Sequence, residues 1–127
     1  MGKVVLDASA LLALVNEEAG ADTVLGAVPD SVISAVNLAE VIAKLTDHGL
    51  VEDETREVLV AFALEIVPFD EDLAFLVGHL YGPTRRHGLS LGDRACLALA
   101  RKMRLPALTA DRSWAKLDLG IDVRLIR

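Results

Sequence analysis

The chain has 127 residues, 53% of them hydrophobic, with 13 lysines and arginines against 19 acids and a net charge of −6. That length suits a single ordinary domain spanning 1–127 with a sizeable core, and no apolar run approaches the roughly 18 residues that a membrane span needs. The acidic balance argues against a positively charged nucleic-acid coat protein, but it leaves room for an enzyme whose acids gather around a metal. One lysine leads directly into a strand and an acid, so no signal peptide is expected, and the lone Cys96 has no partner for an internal disulfide. A cytoplasmic location is the expectation that follows.

Taken in order, Val4-Val5-Leu6 reads as a buried strand, ended by Asp7 and followed at once by the helix-forming run Ala8 to Val15. Gly20 restarts a short helical stretch to about Val28, and Pro29-Asp30 marks a turn. Ser31 to Ser34 is a short second strand. Ser34 then caps a long helix, Val36 to about His48, closed by Gly49. A third helix is expected from about Asp53, carrying Val58, Leu59, Phe62 and Ala63 on its apolar stripe. Glu65 to Pro68 is the third strand, and a helix from Glu71 to Tyr81 is expected to break at Gly82-Pro83. Thr84 to Leu89 reads as a basic, polar loop, and Ser90 opens a helix through Met103. Pro106 to Thr109 is the fourth strand, Arg112 to Leu117 a last short helix, and Val123 to Ile126 the final strand. Strands alternating with helices on this spacing predict a three-layer α/β/α sandwich around a central, mostly parallel five-stranded sheet.

Four acids stand out, and each has a plain structural reading. Asp7, Asp93 and Asp111 can each cap the helix that follows; Ser90-Leu-Gly-Asp93 has the spacing of a capping box. Glu40 lies in a helix apolar on nearly every side, where a carboxylate needs a partner, and Lys44 is four residues on in the favourable order. Taken together, the four say more. Asp7 and Asp111 lie just past the carboxyl ends of strands, Glu40 in the second turn of a helix leaving such an end, and Asp93 at the start of a helix returning from the same side. All four therefore face one rim of the sheet, where open α/β folds bind ligands. Acids gathered there repel one another unless a divalent cation intervenes. All-oxygen ligands suit Mg²⁺ or Mn²⁺ rather than zinc, and His48, His79 and His87 lack ligand-like spacing. Between Arg85 and Arg104 six basic residues stand against the single acid Asp93, either as a solvated helix face or as a phosphate-backbone contact beside the site. Gly92, just before Asp93, is an unusual neighbour for a helix start and is expected to cost only local stability.

The stretches Val5-Leu-Asp-Ala-Ser-Ala-Leu-Leu12, Asn37-Leu-Ala-Glu-Val41, Leu89-Ser-Leu-Gly-Asp-Arg-Ala95 and Leu108-Thr-Ala-Asp-Arg-Ser-Trp114 resemble PIN-domain nucleases. In length and order the chain resembles the VapC toxins of bacterial toxin–antitoxin pairs. The resemblance covers essentially the whole chain; no one motif is specific, but four in this order and spacing are. Carried over residue by residue, it implies that Asp7, Glu40, Asp93 and Asp111 are the catalytic, metal-binding quartet. Asp7, Asp93 and Asp111 would be direct ligands, and Glu40 would bind through water or orient the nucleophile. Ser9 and Thr109 match the small hydroxyl positions beside the first and last acids, and Asn37 a polar position near the glutamate; these would hydrogen-bond ligands or substrate. The implied activity is cleavage of single-stranded or loop RNA by a water activated by one or two Mg²⁺ (or Mn²⁺) ions. Arg85, Arg86 and Arg94 are candidates for the RNA backbone. A homodimer and a cognate antitoxin, whose tail brings a basic side chain into the acidic groove, are also implied.

Rival readings fit less well. A phosphoacceptor domain would want adjacent acids after the first strand and a lysine closing a later one, where this chain has Ala8-Ser9 and Thr109-Ala110. A phosphatase with an aspartyl nucleophile would want Asp-x-Asp, against Asp7-Ala-Ser9. A non-catalytic RNA- or protein-binding module on the same fold is the remaining alternative.

Overall fold

The computed structural model describes residues 2–127. Its centre is β1 (Val4–Leu6), fully buried and flanked on both sides by parallel partners. On one side lie β2 (Ser31–Ser34) and then β3 (Glu65–Val67); on the other lie β4 (Ala107–Thr109) and then β5 (Val123–Leu125). The order is β3-β2-β1-β4-β5, and all four pairings are parallel, with Val5 opposite both Val32 and Ala107. The expected sheet is thus present, without an antiparallel strand among the described residues.

Alternation along β1 divides the core in two, because successive strand side chains point to opposite faces. Val4 and Leu6 pack with Leu11 of α1 (Ala8–Val15), Val24 of α2 (Ala21–Ala27) and Val41 and Leu45 of α3 (Ala35–Asp47). Val5 faces the other way, towards Leu73, Val77 and Leu80 of α5 (Glu71–Thr84), Leu97 and Leu99 of α6 (Leu91–Met103) and the buried Trp114. Helices on both faces of a parallel sheet make the three-layer sandwich. Between β2 and β3 the chain also runs through α4 (Glu52–Val60). Among the described residues no helix is long and apolar enough to cross a membrane.

Several element assignments differ from the sequence reading. α5 does not break at Gly82-Pro83 but continues to Thr84. Proline there costs the amide that would bond the His79 carbonyl, but the loss falls in the last turn, on exposed residues, and the Thr84 hydroxyl donates back to the Leu80 carbonyl. Arg85–His87, expected in a loop, forms a 3-10 turn closed by Gly88 at φ +67°. α4 ends at Val60, so Phe62 and Ala63 lie beyond it, and Thr55 is its one buried residue. The last short helix is likewise a 3-10 turn, Arg112–Lys116.

Leu6 is fully buried in the strand that delivers Asp7 to the rim. Leu6→Ala is expected to lower the unfolding free energy by about 2–5 kcal/mol, as cavity-forming core truncations do. Urea denaturation measures this directly.

Candidate active site

Parallel strands place their carboxyl ends on one rim, and helices that begin there turn their N-termini to it. β1 ends in Asp7, whose amide still donates to the Leu108 carbonyl of β4 at 2.9 Å. Asp7 occupies the N-cap position of α1 but makes no side-chain cap bond, so capping does not explain it. Its Oδ2 instead accepts from the Ser9 hydroxyl at 2.7 Å and from the Thr109 hydroxyl at 2.9 Å. Each hydroxyl has a single proton, and both protons are directed at Asp7. The same two oxygens accept in turn, Ser9 Oγ from the Ala110 amide and Thr109 Oγ1 from the Asp111 amide, each at 3.0 Å. Backbone amides after β4 are thus linked through two hydroxyls to one carboxylate oxygen after β1.

Asp7 is only 4% exposed. Burial pushes its carboxyl up to about 6; the bonds from Ser9 and Thr109 oppose the rise, and the negative charges of Asp93 and Glu40 add to it. Behind them Cys96 is fully buried, and its thiol is held well above its usual range, first by burial and then by Asp7, Asp93 and Glu40. It therefore stays protonated and inert.

Glu40 projects from α3, whose start is capped by the Ser34 hydroxyl accepting from the Val36 amide at 3.2 Å. α3 is less buried than its composition implies, with Ala39, Ile42, Ala43 and Lys44 exposed. Among the described residues Lys44 forms no ion pair with Glu40. Glu40 Oε1 instead accepts from the carboxamide of the fully buried Asn37 at 2.9 Å. The packing of α3 against α6 selects the partner three residues back over the one four residues on.

Asp93 and Asp111 do act as caps. Asp93 Oδ2 accepts from the Ser90 amide at 2.9 Å while Ser90 Oγ accepts from the Asp93 amide at 3.1 Å, a capping box at the start of α6. Asp111 Oδ1 accepts from the Ser113 amide and hydroxyl, at 2.9 and 2.7 Å. A common pattern results: each acid is anchored through one oxygen. Among the described residues Asp7 Oδ1, Glu40 Oε2, Asp93 Oδ1 and Asp111 Oδ2 take no protein hydrogen bond.

Glu40 and Asp93 both lie within electrostatic reach of Asp7, whereas Asp111 is exposed and makes no comparable contribution to it. Among the described residues no three His, Cys, Asp or Glu side chains stand close enough together to hold an ion as they are. The convergence read from the sequence is therefore one of placement on the rim, with each carboxylate resting on its own donor. Arg85 and Arg86 are exposed in the 3-10 turn. The Arg94 guanidinium lies 5.2 Å from the centroid of the exposed Tyr81 ring, a cation–π pair the sequence reading missed because it joins two helices. Of the histidines, His48 caps α3, His79 stacks on Phe75 and His87 is exposed, as expected of surface or packing residues. Gly92 is buried, with the Glu40 carboxylate against it, a close approach that helix propensity alone does not signal.

The Asp7 shift has a consequence for stability. Between 3.8 and about 6 the folded chain binds more protons at Asp7 than the unfolded chain does. Stability therefore falls as pH rises through that window, and the cost of the buried charge is complete above it. The shift corresponds to roughly 3 kcal/mol at most. Asp7→Asn removes the charge and keeps an acceptor for both hydroxyls. In chelator it is expected to be more stable than the wild type at about pH 7.5, with the gain shrinking below about pH 6 and nearly gone near the unfolded pKa. Urea denaturation across that range checks the sign.

Comparison with known proteins agrees with this architecture. The PIN domain family profile matches residues 4–119. A toxin–antitoxin complex from Klebsiella pneumoniae contains a chain 21% identical, with a TM-score of 0.76 and 98% of each chain covered. DNA-bound VapBC from Salmonella typhimurium gives 20% identity, a TM-score of 0.76 and full coverage of both chains. VapBC2 from Rickettsia felis, bound to a promoter DNA fragment, gives 15% identity and a TM-score of 0.75, with 97% of this chain and 98% of that one covered. A search of curated protein sequences finds no match. At these identities the solved structures establish the fold, and the profile, which spans nearly the whole sequence, establishes the family: the chain belongs to the PIN domain family.

Proposed function

We propose that this PIN domain is a divalent-metal-dependent endoribonuclease, the toxin of a VapBC-type pair, which hydrolyses RNA phosphodiester bonds. The observation that carries the reading is the arrangement of the four acids. Asp7, Glu40, Asp93 and Asp111 share the carboxyl rim of a parallel sheet, each fixed through one oxygen and keeping the other free. Caps alone would not bury Asp7 at a cost in stability.

The donor chemistry fits a hard cation. Four carboxylates at the rim, with no histidine or free thiolate among them, suit Mg²⁺ or Mn²⁺. Asp7, Asp93 and Asp111 would hold the ion, which would have to draw them closer together than they stand without it. Bound there, it supplies a hydrolytic nucleophile at neutral pH and neutralises charge at the scissile phosphate. The protein's own part is positioning. Ser9 and Thr109 fix the Asp7 carboxylate through Oδ2, so that Oδ1 is the oxygen on offer. Glu40, held by Asn37, offers Oε2 to orient the attacking water. Arg85, Arg86 and Arg94 supply positive charge near the start of α6 for the RNA backbone.

A protein partner is supported by a second feature. An apolar trough of about 1010 Å³ lies between α3, α4 and β3, lined by Leu38, Ile42, Leu59, Val60 and Ile66 among others, and by none of the four acids. Val60 is 75% exposed and Ile66 49%, so apolar side chains on this face stand open to solvent. The neighbours from Klebsiella, Salmonella and Rickettsia are toxin–antitoxin assemblies. We assign the trough to a cognate antitoxin, with a homodimer and a cytoplasmic setting as further parts of the reading.

The test is cleavage of a labelled mixed RNA pool by antitoxin-free protein with Mg²⁺, with Mn²⁺ and with chelator, beside Asp7→Asn and Asp93→Asn. Metal-dependent cuts are expected, reduced by about 100-fold or more in each variant. Metal-independent binding without cleavage would move the reading to a non-catalytic binding module on the same fold.

A further inference from the structure

Glu40 differs from the other three acids in how it is held. Asp7 is tied by hydroxyls from the first turn of α1 and the end of β4, and Asp93 and Asp111 by the turns they cap. Glu40 lies in the interior of α3, and a residue on its own helix joins it to a different one. Asn37 Nδ2 donates to Glu40 Oε1 at 2.9 Å and also to the Gly92 carbonyl of α6 at 2.9 Å. Both partners only accept, so the carboxamide has one usable orientation; turned over, it would set Oδ1 against two oxygens. Asn37 is fully buried, and its Oδ1 finds no partner among the described residues. The fold tolerates that orphaned acceptor to keep both donors where they are.

Gly92 completes the arrangement from the other side. It lies inside α6 and has no positive φ, so its backbone conformation does not call for glycine. Space does. A Cβ at this position would overlap Cδ, Oε1 and Oε2 of Glu40, and these are its three nearest atoms. The obstacle is the flexible end of one side chain, so a methyl group at residue 92 would push the Glu40 carboxylate away and leave the backbone in place.

We propose that Asn37 and Gly92 are positioning residues, which together form a seat that locks the Glu40 carboxylate against the first turn of α6, beside Asp93. The seat fixes Oε1 and leaves Oε2 as the working oxygen. The seat itself stands on geometry; its consequence for cleavage rests on the nuclease reading. It turns the expectation for Gly92 around. Glycine is kept here at a cost in helix propensity because a side chain would displace a carboxylate.

Gly92→Ala, Asn37→Ser, Glu40→Ala and the double variant Glu40→Ala/Gly92→Ala test this in two ways. The first is the side-chain amide pair of Asn37 in a ¹⁵N-labelled sample, read without metal. Gly92→Ala is expected to shift it in the same direction as Glu40→Ala, with no fall in melting temperature. The second is RNA cleavage in Mg²⁺. A displacement of about 1 Å is enough to cost about 100-fold, and Gly92→Ala and Asn37→Ser are each expected to lose activity on that order through kcat. In the Glu40→Ala background the added methyl meets nothing, so the double variant is expected to match Glu40→Ala. An unmoved Asn37 signal in Gly92→Ala, full activity in that variant, or a further loss in the double variant would overturn the seat. A wild-type chain that cuts no RNA, while the amide pair shifts as described, would overturn the nuclease reading and leave the seat standing.

Discussion

The rim of the sheet is organised around one buried carboxyl group. Asp7 sits at the end of the central strand, 4% exposed, with Oδ2 fixed by hydroxyls from residues two and 102 positions away in sequence. Burial holds its carboxyl up at about 6 against the pull of both hydroxyls, so the site carries electrostatic strain at neutral pH. Carboxylates that only cap helices sit at the surface, where their charge is cheap. This one is enclosed by the hydroxyls of Ser9 and Thr109 and by the apolar residues that bury β1, and the acids on α3 and α6 add to its burden. Such an arrangement is understandable where a cation is the missing counter-charge.

The rim also makes double use of ordinary helix chemistry. Asp93 closes the capping box of α6 and Asp111 caps the turn after β4, each with one oxygen. Using that oxygen structurally orients the side chain before any ligand arrives, which lowers the ordering cost of binding. The structural and functional readings of these acids are therefore compatible. One carboxylate can serve both because it has two oxygens.

Much of this was legible in the residues. The β1 triplet, the alternation of strands and helices and the hand-over from strand to acid to helix placed all four carboxylates on one rim of a parallel sheet. What escaped had a tertiary origin. Asp7 reads locally as a cap; Ser9 and Thr109, expected from the resemblance alone to hydrogen-bond ligands or substrate, are its partners because β4 lies alongside β1. Lys44 and Asn37 are both within helical reach of Glu40, and the packing of α3 against α6 decides between them. Gly92 looks like a weak helix start until the Glu40 carboxylate is seen beside it. Gly82-Pro83 reads as a break, yet in the last turn of α5 proline's missing amide costs little. The apolar stripe expected along α4 runs past the helix end at Val60, which is exposed and lines a trough.

Under the proposed function, the free oxygens of these anchored carboxylates make a cation site organised around Asp7. Crystals grown with Mn²⁺ and measured near the manganese absorption edge test it most directly. The expected result is an anomalous peak in bonding contact with Asp7 Oδ1 and with Asp93 Oδ1, while Oδ2 of each keeps its protein donors. A peak that leaves out Asp7, or an ordered rim with no anomalous peak at saturating Mn²⁺, would mean that the rim is not organised as a cation site around Asp7.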